Sequence, residues 1–245
     1  MAKREAVSDT IAFDLPSGIP VEIQEIDAYA EKGLTNKEEL ISGRAMNKIM
    51  RSALVSFNGE PMPSNDGEAN AIILDMKSGD RNYLLLRIRM QSYGEEMSFN
   101  YKCPECRKTS GYHVNLRELL EDGTLKVHPY VDTPITVETR SGVAEIEYGT
   151  GRTEQWLAQQ KEIDTIKMAM ARCKKFNGQP PSYKDFEKLP VRDLTAIRVA
   201  AMDLKGGLEP MIELECLKCD NSYEVWLYTI QDFFIPLTKQ GNIGR

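Results

Sequence analysis

Four cysteines stand in two pairs of equal spacing, Cys103-Pro104-Glu105-Cys106 and Cys216-Leu217-Lys218-Cys219. A CxxC turn aims two soft thiolates at one point, so two such turns complete the tetrahedral four-sulfur shell of a structural zinc site. Four thiolates leave no open position on the metal, which excludes a catalytic zinc built from these residues. Because 109 residues lie between Cys106 and Cys216, the ion would clasp two distant parts of the chain. The spacing thus assigns Zn2+ a structural role with Cys103, Cys106, Cys216 and Cys219 as its ligands.

Other chemistry fits these residues less well. A thioredoxin-like pair needs a helix N-terminus to lower a thiolate pKa. Here each pair is preceded by a strand pattern and followed by a short polar turn and a second strand. Cys173 has no matching thiol and lies in an apolar pattern, as a core residue does. Of the two histidines, His113 sits in the strand leaving the first pair, where the second copy has Glu224, and four cysteines leave it no ligand position; a place at the surface or just outside the ligand shell is expected for the histidines, His113 and His128. No nucleophile elbow, phosphate-binding glycine loop, HExxH or dinucleotide fingerprint occurs, so the chain is expected not to be an enzyme.

The flanks of the two pairs match each other. Asp80 precedes Cys103 by 23 positions and Asp193 precedes Cys216 by 23, while Gly94 and Gly207 each stand nine before their cysteine. Phe57-Asn58-Gly59 has its echo in Phe176-Asn177-Gly178, and Tyr112-His113-Val114 in Tyr223-Glu224-Val225. This pattern reads as an internal duplication of about a hundred residues.

The elements that position the cysteines follow from periodicity. Residues 80–93 read as a helix ended by a left-handed Gly94. Met97, Phe99, Tyr101 and Cys103 share one parity, which places the first thiolate on the aromatic face of a strand that turns at the pair and returns through Tyr112, Val114 and Leu116. Leu116 to Leu120 reads as a short helical turn. In the second half, Ile135-Thr136-Val137 and Ala144 to Tyr148 form a hairpin around Ser141-Gly142. Thr153 is expected to cap a long helix whose stripe is Trp156, Ile163, Ile166, Met170 and Cys173. Residues 191–204 read as a helix carrying Leu194, Ile197, Ala201 and Leu204, followed by Gly206-Gly207 and the strand Ile212, Leu214, Cys216. Earlier, Leu15-Pro16-Ser17-Gly18 opens a short edge strand. A helix capped by Thr35, with Glu38 completing a capping box, carries Ile41, Ala45, Ile49 and Ala53 at four-residue spacing, widened by Leu40, Met46, Met50 and Leu54.

The expected fold class is α+β: two homologous halves, each of helices and a β-hairpin, joined by a shared four-cysteine zinc-knuckle site. The boundaries are a flexible arm at 1–14, a first half at 15–120, a linker at 121–134, a second half at 135–236 and a polar tail at 237–245. At 245 residues the chain can bury a sizeable core. No apolar run approaches a membrane span of roughly 20 residues, and Met1-Ala2-Lys3-Arg4-Glu5 lacks a signal-peptide core, so no membrane partner and intracellular synthesis are expected. A net charge of −6, with 31 basic and 37 acidic residues, disfavours nucleic acid.

In the order of its motifs the chain resembles the baseplate hub proteins of T4-like contractile-tailed bacteriophages. The likeness runs from Leu15-Pro16-Ser17-Gly18 through the CPxC hairpin and the second CxxC to Asp232-Phe233-Phe234-Ile235-Pro236. Knuckles of this type often place glycine after the second cysteine, where this chain has Arg107 and Asp220. The resemblance implies a structural or assembly protein of the tail baseplate hub whose partners are other hub or tail proteins. It also implies a location in the host cytoplasm during assembly and then in the virion tail. The alternative is a zinc-ribbon adaptor for nucleic acid or transcription machinery. Against it, Lys102, Arg107, Lys108 and Lys218 are interrupted by Glu105, Glu215 and Asp220. Phe233-Phe234 serves either as an exposed anchor for a partner or as a lock on the core.

Overall fold

The computed structural model describes residues 9–34, 38–39, 43–229 and 233–234. Strands β1 (Ile11–Asp14) and β2 (Pro20–Ile23) form an antiparallel hairpin around Leu15-Pro16-Ser17-Gly18, with Gly18 at φ 82°. The fold thus starts inside the expected arm, because the alternating Ile11 and Phe13 give β1 a half-buried face. Helix α1 (Ala28–Gly33) is capped by Asp27, whose carboxylate accepts from the Ala30 N–H. Helix α2 (Arg44–Ala53) buries Ala45, Ile49, Met50 and Ala53, the expected stripe. Thr35, Leu40 and Ile41, expected at its start, lie outside the described residues. Leu54, read as helical, instead opens β3 (Leu54–Phe57), which turns at Asn58-Gly59 into β4 (Glu60–Pro61) and completes a sheet of order β1-β2-β3-β4.

Helix α3 (Asp66–Asp75) is capped by Asn65, and α4 (Ser78–Tyr93) runs through the middle of the core. Gly94 ends α4 with φ 84° but ψ 176°, so the terminator is extended rather than left-handed, a region that only glycine occupies readily. The chain then forms β5 (Glu96–Lys102), β6 (Thr109–Asn115) and α5 (Leu116–Glu121).

The stretch 121–134, expected as a bare linker, contains β7 (Val127–His128). The second half continues with β8 (Ile135–Thr139), β9 (Gly142–Ile146), α6 (Gly151–Ala158), α7 (Thr165–Met170) and β10 (Cys173–Phe176). One long helix over this region was the expectation; two short ones form. Thr150 is the N-cap of α6, Thr153 accepts from its N–H within the first turn, and Asp164 starts a new helix by accepting from the Lys167 N–H. Ile163 is consequently exposed, and Cys173 lies on a strand that pairs with β9. Helices α8 (Tyr183–Phe186) and α9 (Val191–Asp203) follow, then β11 (Gly207–Leu208), β12 (Met211–Glu215), β13 (Ser222–Trp226) and a 3-10 turn at Leu227–Thr229. Among the described residues no helix is long and apolar enough to cross a membrane.

Several paired features recur in the two halves. Asp80 accepts from the Ser17 N–H at 3.1 Å and Asp193 from the Ser141 N–H at 3.0 Å, so each long helix grips its half's first hairpin turn. Asn58 and Asn177 both hold positive φ, 54° and 51°. Strand register breaks one expected echo: Tyr112 lies opposite Phe99, four positions before Cys103, whereas Tyr223 lies opposite Leu214, two before Cys216. His113 thereby stands level with Trp226 rather than Glu224.

Among the described residues two apolar clusters form, and the larger ignores the expected boundary. It packs Ile23, Ile49, Met50, Ile73, Leu84, Leu86 and Ile88 against Leu208, Ile212, Leu214, Val225, Leu227, Phe233 and Phe234. The smaller holds Ala144, Ile146, Ala169, Cys173, Phe186, Ile197 and Ala201. The halves meet backbone to backbone where Gly79 of α4 lies on Gly206 and Gly207, so close that a Cβ at Gly79 would stand 2.7 Å from Gly207 Cα. Around this joint β7 pairs with β11, Asn82 Nδ2 donates to the Leu208 carbonyl at 3.2 Å, and Arg81 reaches Glu154 at 3.0 Å.

Candidate metal centre

The two CxxC turns sit at the tips of hairpins β5–β6 and β12–β13 and are built alike. In the first, Cys103 N donates to the Lys108 carbonyl and Arg107 N to the Cys103 carbonyl, both at 3.0 Å; in the second, Cys216 N donates to Asn221 at 2.9 Å and Asp220 N to Cys216 at 3.0 Å. Closing so tight a turn needs one residue at positive φ, and Arg107 (58°) and Asp220 (56°) take that role. Aspartate tolerates this conformation better than arginine, since its short side chain bonds locally.

The four Sγ atoms all lie within 4.8 Å of one another. Cys103 Sγ faces Cys219 Sγ at 3.8 Å and Cys106 Sγ faces Cys216 Sγ at 3.7 Å, so the first cysteine of each turn meets the second of the other. Zinc–sulfur bonds of about 2.3 Å in a tetrahedron give sulfur–sulfur edges of about 3.8 Å. The thiols therefore fit a tetrahedral ion in two of their edges, and all four are free of disulfides.

Burial and hydrogen bonding act unevenly on these sulfurs. Cys103 and Cys216 are buried, Cys106 is half-buried and Cys219 is exposed. For Cys216, burial disfavours the thiolate, but the Lys218 N–H and the thiols of Cys219 and Cys103 outweigh it and bring the thiol down to about 7. Cys219 is pushed up: the Asn221 N–H favours its thiolate, while burial and the thiols of Cys106, Cys216 and Cys103 oppose it. Four thiols this close cannot all ionise without a cation among them.

The other candidates lie elsewhere. His113 is exposed, with Nε2 2.8 Å from Glu96 and Nδ1 2.8 Å from Ser98 Oγ, and His128 pairs with Glu209 at 3.0 Å. Cys173 is a core thiol whose Sγ donates to the Lys175 carbonyl at 3.1 Å, and burial pushes it up to about 11. Phe233 and Phe234 are buried against Tyr228, with ring centroids 4.9 and 6.5 Å away, so both act as a lock on the core.

Sequence reasoning missed an aromatic group beneath the thiols. Phe99 stacks on Tyr112 at 5.5 Å and Tyr101 on Tyr223 at 5.6 Å, and the Tyr112 and Tyr223 hydroxyls are 2.8 Å apart. The shared parity of Phe99, Tyr101 and Cys103 placed two of these rings, but nothing local shows how the hairpins dock.

A family model described as T4 bacteriophage base plate protein matches residues 62–235, which contain both CxxC turns, α4, α9 and Phe233-Phe234. Among curated proteins and among solved structures, none matches the chain. The family model covers well over half of the sequence, and its span holds all four clustered thiols and the two elements that carry the joint. The chain belongs to the T4 bacteriophage base plate protein family.

Proposed function

We propose that the protein is a non-enzymatic structural or assembly component of the phage baseplate hub, and that one Zn2+ held by Cys103, Cys106, Cys216 and Cys219 fastens its two hairpins. The observation that carries this reading is the cluster of four thiols, at edges of 3.7 and 3.8 Å, inside the segment matched by the baseplate family. Structural zinc in small peptides contributes on the order of 10–16 kcal/mol, far more than either hairpin turn gains alone. Its role here is to fix the angle of one hairpin to the other, so that the surfaces on either side are presented to other hub or tail proteins as one rigid face. The working locations are the host cytoplasm during assembly and the tail baseplate of the virion.

The halves are read as homologous, a duplication supported by the recurring Asp–Ser grip, the paired Asn-Gly turns and the two matched knuckles. The adaptor reading gains no support from the surface, since Lys102, Arg107, Lys108 and Lys218 are exposed beside equally exposed Glu105, Glu215 and Asp220.

Native mass spectrometry of the full chain beside Cys216→Ser tests the metal. One zinc per chain, lost or weakened in the variant, supports the reading. A metal-free chain overturns it, whether the four thiols are free or a mass deficit matches two disulfides.

A further inference from the structure

We propose that Tyr112 and Tyr223 form a directed phenol relay that sets one hairpin against the other before metal arrives, making both of them positioning residues of the four-thiol site. The inference rests on the metal reading above. It starts from a missing connection: β5–β6 and β12–β13 are separate two-stranded sheets, so among the described residues no strand ladder joins the hairpins that must bring their cysteines together. Side chains have to set their relative register.

Proton counting gives the relay its direction. Tyr112 Oη lies 3.1 Å from the Glu215 carbonyl and 2.8 Å from Tyr223 Oη. A carbonyl only accepts and each phenol has one hydrogen, so Tyr112 donates to Glu215 and Tyr223 donates to Tyr112. Glu215 is the residue before Cys216, so a ring from the first hairpin holds the peptide that leads directly into a buried thiol of the second. Tyr112 is steadied by Phe99, opposite it in the ladder, and Tyr223 lies stacked on Tyr101, two residues before Cys103. Two of these three cross-hairpin contacts thus engage a residue within two positions of a cysteine, Glu215 before Cys216 and Tyr101 before Cys103.

Apolar packing of Met97, Phe99, Ile212, Leu214 and Val225 brings the hairpins near each other, but such packing is non-directional. The relay supplies direction, and ordering the site in advance lowers the cost of ordering it on binding. Groups that orient metal ligands from outside the ligand shell typically change affinity by roughly 10–100-fold.

The test uses the full chain, stripped with a chelator and titrated with Co2+, then with Zn2+ against a chromophoric competitor. Tyr112→Phe keeps the ring and loses both bonds; Tyr223→Phe loses one and leaves the bond to Glu215. Tyr101→Phe keeps the stack and lies outside the relay. The expected result is a wild-type chain that loads one ion, Tyr112→Phe weaker by roughly ten-fold or more, Tyr223→Phe weaker by less, and Tyr101→Phe unchanged, all with the same tetrahedral cobalt spectrum. Circular dichroism of the stripped chains reports whether the fold survives, and Tyr223→Phe carries the test if Tyr112→Phe does not fold. A wild-type chain that loads metal while both relay variants match it overturns the relay alone. A wild-type chain that loads no metal overturns the metal reading and the relay together.

Discussion

Gly79→Ala separates local propensity from packing at the joint between the halves. Position 79 is in the first turn of α4, where alanine is the better helix former by up to about 1 kcal/mol, so local reasoning expects stabilisation. The structure reverses the sign. The added Cβ would stand 2.7 Å from Gly207 Cα and 2.8 Å from the Gly206 carbonyl carbon, with the Gly206 oxygen closer still. Carbon contacts are comfortable at about 3.5–4.0 Å, so the two backbones must part by roughly 1 Å. Overpacking of that kind costs about 1–3 kcal/mol. The same movement pulls Leu208 from Asn82 Nδ2 and threatens the Tyr228 hydroxyl on the Asn82 carbonyl, two bonds worth about 1 kcal/mol each. Set against the helix gain, the net loss is about 2–4 kcal/mol. Urea unfolding measures it, with Gly111→Ala as control, because a Cβ there meets only Asn100 Oδ1 at 3.4 Å. The loss is expected with and without chelator, since this joint is made of packing rather than metal. A Gly79→Ala chain as stable as wild type would refute the argument.

Arg107→Gly relieves a positive φ of 58° and is expected to raise stability by about 0.5–1 kcal/mol after the unfolded-chain entropy of glycine is subtracted; a lower urea midpoint would count against the turn geometry. Phe233→Ala empties a fully buried ring site and should cost about 3–5 kcal/mol by the same assay, whereas a loss below about 1 kcal/mol would return the terminal aromatics to the role of exposed anchor. Burial raises the Asp80 carboxyl above its usual range, and the Ser17 bonds and nearby Lys77 only partly offset this. The folded state therefore holds that proton more tightly than the unfolded chain, so this residue's contribution is present at acid pH and declines as pH rises through the folded pKa. Unfolding free energies of wild type and Asp80→Asn between about pH 3 and 7 should diverge in that direction, and a constant difference would show that Asp80 does not titrate as described.

Legibility in the sequence followed the range of the interaction. Hairpin β5–β6 could be read because alternation and CxxC turn chemistry act within a few residues, and the buried Met97 and Phe99 show the parity at work. Helix α9 was likewise visible in Leu194, Ile197 and Ala201. The split between α6 and α7 was local too, yet the apolar residues at Trp156, Ile163 and Ile166 masked the capping signals at Thr150 and Asp164. The echo of Tyr112-His113-Val114 in Tyr223-Glu224-Val225 was misleading, because a repeat in composition does not determine cross-strand register. The glycine joint and the phenol relay depend on how distant elements dock. Their residues look ordinary until Gly79 meets Gly207 and Tyr112 meets Glu215. The four thiols were the exception, a long-range contact made visible because two CxxC pairs of equal spacing each suggest the other.

The membership of the larger core carries a consequence for the timing of synthesis. Leu84 is at the centre of that core, and Phe233, which completes it, emerges 149 positions later. At about 5–20 residues per second, the interval is roughly 7–30 s. Throughout it, the nascent first half holds an apolar surface whose natural cover has not yet been made. Loop closure over that separation also delays the contact once the cover exists. The protein is thus most exposed to mispairing with its neighbours on the ribosome: arrest before Leu208 leaves the first half without its cover, and cleavage there separates the first half from the last hairpin.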